Sequence, residues 1–139
     1  MTVPEWLVPW VIRATGRNRI FLSEEAARRH VERSARSPKP FGPPQRLAHE
    51  VDISMVVRDG WPVYTVSPSG GFRSPSAPTG SVVYVHGGGW VNEIARQHWQ
   101  LIAQIAVESR TTVVVPIYPL IPAGTAGRVV AGIVDIIRG

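Results

Sequence analysis

The chain has 139 residues, of which 44% are hydrophobic and 18% are charged, so a typical disordered chain is excluded and a hydrophobic core is possible. It contains no cysteine, which excludes disulfide frameworks, zinc-finger sites and cysteine nucleophiles. Its net charge of +5 lies entirely in residues 1–46, which hold nine basic and four acidic side chains, whereas residues 47–139 hold six of each.

Residues 1–46 are predicted to form a basic, helical, cap-like segment that ends in a proline-rich linker. Val3–Ile12 is apolar, but two prolines interrupt it and no basic stretch precedes it, so we predict neither a signal peptide nor a membrane span. Ser23–Ala35 predicts a surface helix with Ser23 as its N-cap. Ser37–Pro44 contains four prolines and predicts the linker.

The basic excess of this segment has two interpretations. Nucleic-acid binding would need a recognisable module or stacking aromatic residues beside the arginines, and the sequence has neither. An ordinary solvated face is therefore the prediction, with no nucleic-acid partner. With no targeting signal found, we expect the chain to be cytoplasmic.

Residues 47–139 are predicted to form the second domain. His49–Arg58 and Trp61–Val66 alternate apolar and polar residues around Asp59-Gly60, which predicts a β-hairpin. Ser67–Gly80 has the composition of a loop. Ser81–Val85 is a short, continuous apolar run and predicts a strand that is buried on both faces.

The rest of the chain alternates helix and strand. Ala95–Glu108 has helical spacing and Thr111–Val115 predicts another buried strand. Thr125 is predicted to cap a last helix, which is expected to turn five apolar side chains inward: Val129, Val130, Ile133, Val134 and Ile137. This order of elements predicts an α/β fold with a mixed, mostly parallel sheet.

One motif stands out, His86-Gly87-Gly88-Gly89-Trp90, directly after the strand at Ser81–Val85. Three glycines without Cβ atoms allow positive φ values and let a ligand approach the backbone amides. Such amides can stabilise the oxyanion of an acyl-transfer transition state, and one donor is typically worth roughly 3–4 kcal/mol. The alternative is a glycine-rich turn that only lets strand and helix pack. Neither phosphate-binding glycine pattern occurs.

The motif and its position resemble the α/β-hydrolase fold, specifically the hormone-sensitive-lipase-like esterases with HGGGW. The resemblance implies that Gly88 and Gly89 donate their N–H groups to the oxyanion and that Gly87 allows the turn. It implies that His86 orients the loop by hydrogen bonding, and that Trp90 lines the substrate entrance or packs beneath it. It also implies a small-molecule ester substrate and no cofactor or metal.

The resemblance covers about Val51–Gly139 and includes a second stretch at residues 117–124. There the family commonly has Tyr-Arg-Leu-Ala-Pro-Glu, of which this chain keeps Tyr118, Leu120 and Pro122. The arginine and the glutamate are absent, which removes the usual ionic support of that loop. Tyr118 is implied to buttress the glycine turn.

The catalytic triad of the family has no match in these residues. No G-x-S-x-G occurs, and the later candidates His98 and Asp135 are predicted to be solvent-facing helix residues. Because the elements end at the second helix after the glycine loop, we expect an N-terminal fragment of a serine ester hydrolase that is inactive alone. The alternative is a non-catalytic domain of the same fold that binds a small ligand or a protein. The strand at Ser81–Val85 is expected to be an apolar sheet edge that promotes self-association.

Overall fold

The computed structural model describes residues 4–7, 22–70 and 80–139. The chain divides into two units, Met1–Pro38 and Lys39–Gly139. The predictions for Val3–Ile12 and for the loop Ser67–Gly80 lie partly outside the described residues. Among the described residues, no helix combines the length and the apolar character that a membrane crossing needs.

The first unit contains a 3-10 helix, Glu5–Leu7, and helix α1, Glu24–Arg36. The α1 helix begins at Ser23, whose Oγ accepts a hydrogen bond from the Ala26 amide at 3.1 Å. Two glutamates in its first turn form ion pairs with arginines four residues later, and all four side chains are exposed. The predicted capped surface helix is therefore confirmed.

The second unit is built on a four-stranded sheet in the order β1-β2-β4-β3. Its strands are β1 (Val51–Arg58), β2 (Trp61–Pro68), β3 (Ser81–Val83) and β4 (Thr112–Pro116). The β3 strand pairs with β4 in parallel, and the other two pairings are antiparallel. The mixed sheet is confirmed, but among these four strands it is mostly antiparallel, because the hairpin supplies two of them.

The β1–β2 hairpin closes through Asp59 and Gly60, as the sequence predicts. Their φ values of 48° and 82° are both positive, as a two-residue hairpin turn of type I′ requires. Arg58 and Trp61 pair directly on either side of the turn. A 3-10 helix, Gln45–His49, leads into β1.

One face of the sheet packs against helix α2 (Arg96–Ser109). Trp99, Ile102 and Ala106 follow the helical spacing of this segment and are buried against Val113 and Val115 of β4. The Trp99 indole also donates a hydrogen bond to the Phe41 carbonyl at 3.1 Å. This cluster is the main core of the unit.

The opposite face carries Trp61, against which helix α3 (Ala126–Arg138) packs. Gly132 faces that indole so closely that an added Cβ would lie 2.5 Å from the ring. The inward stripe is therefore Val129, Gly132, Ile133 and Ile136. The prediction that Val130 and Ile137 face inward is wrong, because the close approach at Gly132 turns both toward solvent.

The β3 strand is the edge of the sheet beyond β4. Val82 and Val85 are 40% and 47% exposed, so the prediction of burial on both faces is wrong. The reason is that β3 has one neighbouring strand and only three ladder residues, although the Tyr84 amide still donates to the Val114 carbonyl at 2.8 Å. The expectation of an apolar edge is confirmed.

Candidate active site

The glycine motif lies where β3 ends and the chain turns toward α2. His86 is buried, whereas Gly87 and Gly89 are exposed. The φ values of Gly88, Gly89 and Trp90 are 143°, 62° and 61°, all in the range that favours glycine. The motif is thus a tight turn that faces solvent and is anchored on its inner side.

Gly88 is held in place by residues that follow it. Its carbonyl accepts hydrogen bonds from the amide of Val91 at 3.3 Å and from the amide and side-chain Nδ2 of Asn92 at 3.2 and 3.1 Å. An added Cβ at Gly88 would lie 2.5 Å from the Asn92 carbonyl oxygen. Glycine is therefore required here for both conformation and space.

These anchors also orient two amides. In a trans peptide the C=O of one residue and the N–H of the next point in opposite directions. The Gly88 carbonyl points to Asn92, so the N–H of Gly89 points away from it. The Gly87 carbonyl bonds to the His86 ring, so the N–H of Gly88 points away from that ring. Among the described residues, neither amide donates to a protein acceptor.

His86 supports the turn in its neutral form. Its Nδ1 lies 2.9 Å from the Gly87 carbonyl oxygen, and because a carbonyl only accepts, Nδ1 carries the proton. Burial lowers the pKa of His86, an effect that the Gly87 hydrogen bond opposes and the charge of His98 reinforces. Its Nε2 is buried and has no hydrogen-bond partner among the described residues.

Tyr118 lies directly behind His86. Its hydroxyl donates to the His86 carbonyl at 2.6 Å, and the two rings stack with centroids 4.4 Å apart. Trp90 packs edge-on against Tyr118, and the Trp90 carbonyl accepts from the Ile121 amide at 3.0 Å. The stretch after β4 therefore braces the glycine turn through side-chain and backbone contacts, without the ionic residues that the family commonly has.

Glu93 is a partly buried acid that sequence reasoning missed. Its Oε2 is buried without a partner among the described residues, and burial raises the pKa of Glu93. The pKa of Tyr118 is also raised, mainly by burial and to a smaller extent by the charge of Glu93. No local pattern predicts that this oxygen is buried, because its burial depends on the tertiary packing of the segment that follows the turn.

The two triad candidates in the sequence, His98 and Asp135, lie on helices α2 and α3. His98 is partly buried, and its Nδ1 accepts a hydrogen bond from the Ala95 amide at 3.1 Å, which caps the start of α2. Asp135 is exposed on α3 and lines a groove of about 300 Å³ with Arg58 and Arg128. The described residues contain no group of three or more His, Asp or Glu side chains placed to hold a metal ion.

Comparison with known proteins agrees with this fold and motif. Residues 82–138 match the sequence model of the α/β-hydrolase fold family. A triacylglycerol lipase from Mycobacterium tuberculosis is 41% identical over 66 residues, which are 46% of this chain and 15% of the lipase. The chain therefore spans a small part of that relative's length.

Solved structures resemble most of the chain. A Staphylococcus aureus protein assigned as an esterase aligns with a TM-score of 0.68 and 20% identity over 87% of this chain and 40% of its own. A hormone-sensitive-lipase homologue from a metagenome library aligns at 0.54 and 19% over 94% of this chain and 40% of its own. A hormone-sensitive lipase, also from a metagenome library, aligns at 0.53 and 22% over 79% and 34%.

The chain has the α/β-hydrolase fold, and residues 82–138 match the sequence model of that family. Within that fold it is similar to the hormone-sensitive-lipase-like esterases, as its HGGGW motif predicted. It spans 40% or less of the length of the three solved structures described above.

Proposed function

We propose that this chain supplies the oxyanion-binding loop of a serine ester hydrolase that acts on small-molecule carboxylic esters. The orientation of the Gly88 and Gly89 amides carries the proposal. Each amide is aimed by a hydrogen bond to the carbonyl of the preceding residue, and each has no protein acceptor among the described residues. Donors fixed in this way need no reorganisation when negative charge develops on a tetrahedral intermediate.

His86, Gly87 and Trp90 have supporting roles in this proposal. His86 fixes the Gly87 carbonyl, and Trp90 packs on Tyr118 beneath the turn. Gly87 differs from Gly88, because a Cβ at Gly87 would meet no atom within 4 Å. Gly87 therefore keeps the approach to the two amides open for the acyl group.

We assign no nucleophile, acid or base within the 139 residues, because they hold no G-x-S-x-G. Ester hydrolysis in this fold requires a serine that is acylated and then released by water. We therefore propose that these residues alone are catalytically inactive. Hydrolysis of p-nitrophenyl butyrate by the purified 139-residue protein, blocked by a fluorophosphonate, would contradict this.

The oxyanion loop can be tested directly on the same protein. Butyrate carries a carboxylate that resembles the oxyanion, so its titration should shift the ¹⁵N–¹H resonances of Gly88 and Gly89. Butyramide, a neutral molecule of similar size, serves as the control and should leave them unchanged. Equal shifts with both ligands, or no shift with butyrate, would refute an anion-binding loop.

A non-catalytic binding domain is the second candidate, and the missing G-x-S-x-G favours it. Such a domain would also bind butyrate through the glycine turn. It would give no ester hydrolysis when mixed with the G-x-S-x-G-bearing remainder of a hormone-sensitive-lipase-like esterase. Turnover in that mixture, lost on Gly87→Ala, would instead support the hydrolase.

The exposed edge of β3 supports a further proposal, self-association through Ser81–Val85. This stretch has no charged residue, and Val82 and Val85 are exposed. Val85→Lys should therefore reduce association in analytical ultracentrifugation. Val130→Lys, the same substitution at an exposed site on α3, is the matched control and should have no effect. Equal effects of the two variants would contradict pairing at this edge.

A further inference from the structure

Among the strands that the structure describes, β1 forms the other edge of the sheet. It is the outermost strand in the order β1-β2-β4-β3. Met55, Val56 and Val57 are 50%, 52% and 64% exposed, so both faces of this edge present apolar side chains. Exposed apolar edges of this kind pair with other strands.

The hydrogen bonds of β2 show which residues of β1 point outward. The Pro62 carbonyl accepts from the Ile117 amide at 2.8 Å, so the backbone C=O of Pro62 points toward β4. The backbone N–H and C=O groups of its neighbours Trp61 and Val63 must then point toward β1, where these two residues pair with Arg58 and Val56. The Ser69 amide donates to the Glu50 carbonyl, so Glu50 has the same hydrogen-bonding phase as Val56 and Arg58. The alternate residues of β1, namely Ile53, Met55 and Val57, consequently direct their N–H and C=O groups away from the sheet.

Two exposed charges lie on either side of this outward set. Asp52 is three residues before Met55, and Arg58 is three residues after it. Both side chains are exposed, and within the described part of the chain neither forms an ion pair. On an antiparallel copy of the same strand, Asp52 and Arg58 would exchange places.

We propose that two copies of this chain pair antiparallel along β1, with Met55 opposite Met55 of the second copy on a two-fold axis. Ile53 then lies opposite Val57 of the second copy, so the outward backbone groups of these three residues bond to one another. Asp52 lies opposite Arg58 of the second copy, and the symmetry repeats this contact. The strand is thus complementary to itself in hydrogen bonding and in charge.

This alignment pairs Asp52 with Arg58 twice, and both residues belong to β1. A shift by two residues keeps the hydrogen-bonding phase but places Asp52 opposite either Val56 or Gly60 of the second copy. The first of these shifts brings Arg58 opposite Glu50, but Glu50 precedes β1 and its backbone is in the αR region, so it does not continue the strand. Opposite charges directly across a strand pair stabilise it, and like charges destabilise it. The proposal is independent of the proposed oxyanion loop, since none of residues 86–90 takes part in the contact.

The experiment measures dimer dissociation by sedimentation equilibrium, with Val85→Lys in all samples to remove pairing through β3. Asp52→Arg and Arg58→Asp each place like charges opposite one another twice, so each should raise the Kd about tenfold or more. The double variant Asp52→Arg/Arg58→Asp restores opposite charges and should restore the Kd. Glu50→Arg, a matched charge reversal that faces Gly60 of the second copy, should leave the Kd unchanged.

Mixing the two single variants gives a second, independent test. One chain then carries two arginines and the other two aspartates at these positions, so the mixture should form heterodimers while each variant alone dissociates. Circular dichroism of each variant shows whether its fold is retained. A double variant or mixture as weak as the single variants, equal weakening by Glu50→Arg, or a monomer at all concentrations would overturn the proposal.

Discussion

Replacing Tyr118 by phenylalanine isolates one hydrogen bond that supports the glycine turn. The tyrosine hydroxyl donates to the His86 carbonyl at 2.6 Å, and the two aromatic rings stack. Phenylalanine retains the ring and therefore the stacking. The variant removes only the donor, so its effect reports on how strongly the bond fixes the turn.

The expected magnitude follows from burial. Relative exposure is 2% for His86 and 6% for Tyr118, so water does not readily replace the lost hydroxyl. A buried acceptor left without a donor costs about 1–3 kcal/mol. We therefore expect Tyr118→Phe to lower the free energy of unfolding by about 1–3 kcal/mol and to weaken butyrate binding, because the His86 backbone is no longer fixed.

Urea denaturation measures the first effect and NMR titration with butyrate measures the second. Tyr64→Phe is the matched control: Tyr64 packs edge-on against Trp99, and its hydroxyl has no hydrogen bond among the described residues. The control should change stability by less than about 0.5 kcal/mol. If Tyr118→Phe behaves like the control in both measurements, the bond does not support the turn and the reasoning is refuted.

Four further predictions concern single positions. Gly88→Ala should destabilise the protein by about 1–3 kcal/mol in urea denaturation, because of its φ of 143° and a backbone oxygen 2.5 Å from the new Cβ. Gly87→Ala should leave stability unchanged but weaken butyrate binding in the NMR titration, and the reverse result would contradict the proposed roles. Gly132→Ala should destabilise by about 1 kcal/mol or more despite alanine's better helix propensity, since its Cβ would meet Trp61; a stabilised variant would contradict this packing. The pKa of Glu93 is raised above 4.5, so the carboxyl holds its proton more tightly in the folded chain and its contribution to stability is lost as pH rises. Glu93→Gln should therefore gain stability relative to the original chain as the pH rises above about 4.5, and a pH-independent difference would contradict the assignment.

Local signals in the sequence were sufficient for most of the elements. Ser23 caps a helix because its short side chain reaches the free amides of the first turn. Asp59-Gly60 closes the hairpin because both residues tolerate positive φ. The apolar run at Thr111–Val115 formed a buried strand because it lies between two neighbours. The cap and the turn depend on residues within a few positions of one another, and the strand is predicted by its own continuous apolar run.

The features that sequence reasoning missed depend on distant residues. On α3, two overlapping apolar stripes have helical spacing, and the contact of Gly132 with Trp61 selects the one that contains Ile136. The burial of the Glu93 Oε2 atom depends on the tertiary packing of the segment that follows the glycine turn. The resemblance implied a role for Tyr118, but its bond to a carbonyl 32 residues away could be seen only in three dimensions.

Gly87 and Gly88 of the motif are present for different physical reasons, and this separates fold from function. Gly88 is required by its own backbone, because a side chain there would collide with Asn92. Gly87 has neither a positive φ nor a neighbour within 4 Å of an added Cβ, so nothing in the described structure requires glycine there. A Cβ at Gly87 would project into open space at an exposed position beside the two oriented amides. A side chain at Gly87 would therefore hinder a ligand that approaches those amides and would leave stability unchanged. Substitution of Gly87 thus tests ligand binding, and substitution of Gly88 tests the stability of the fold.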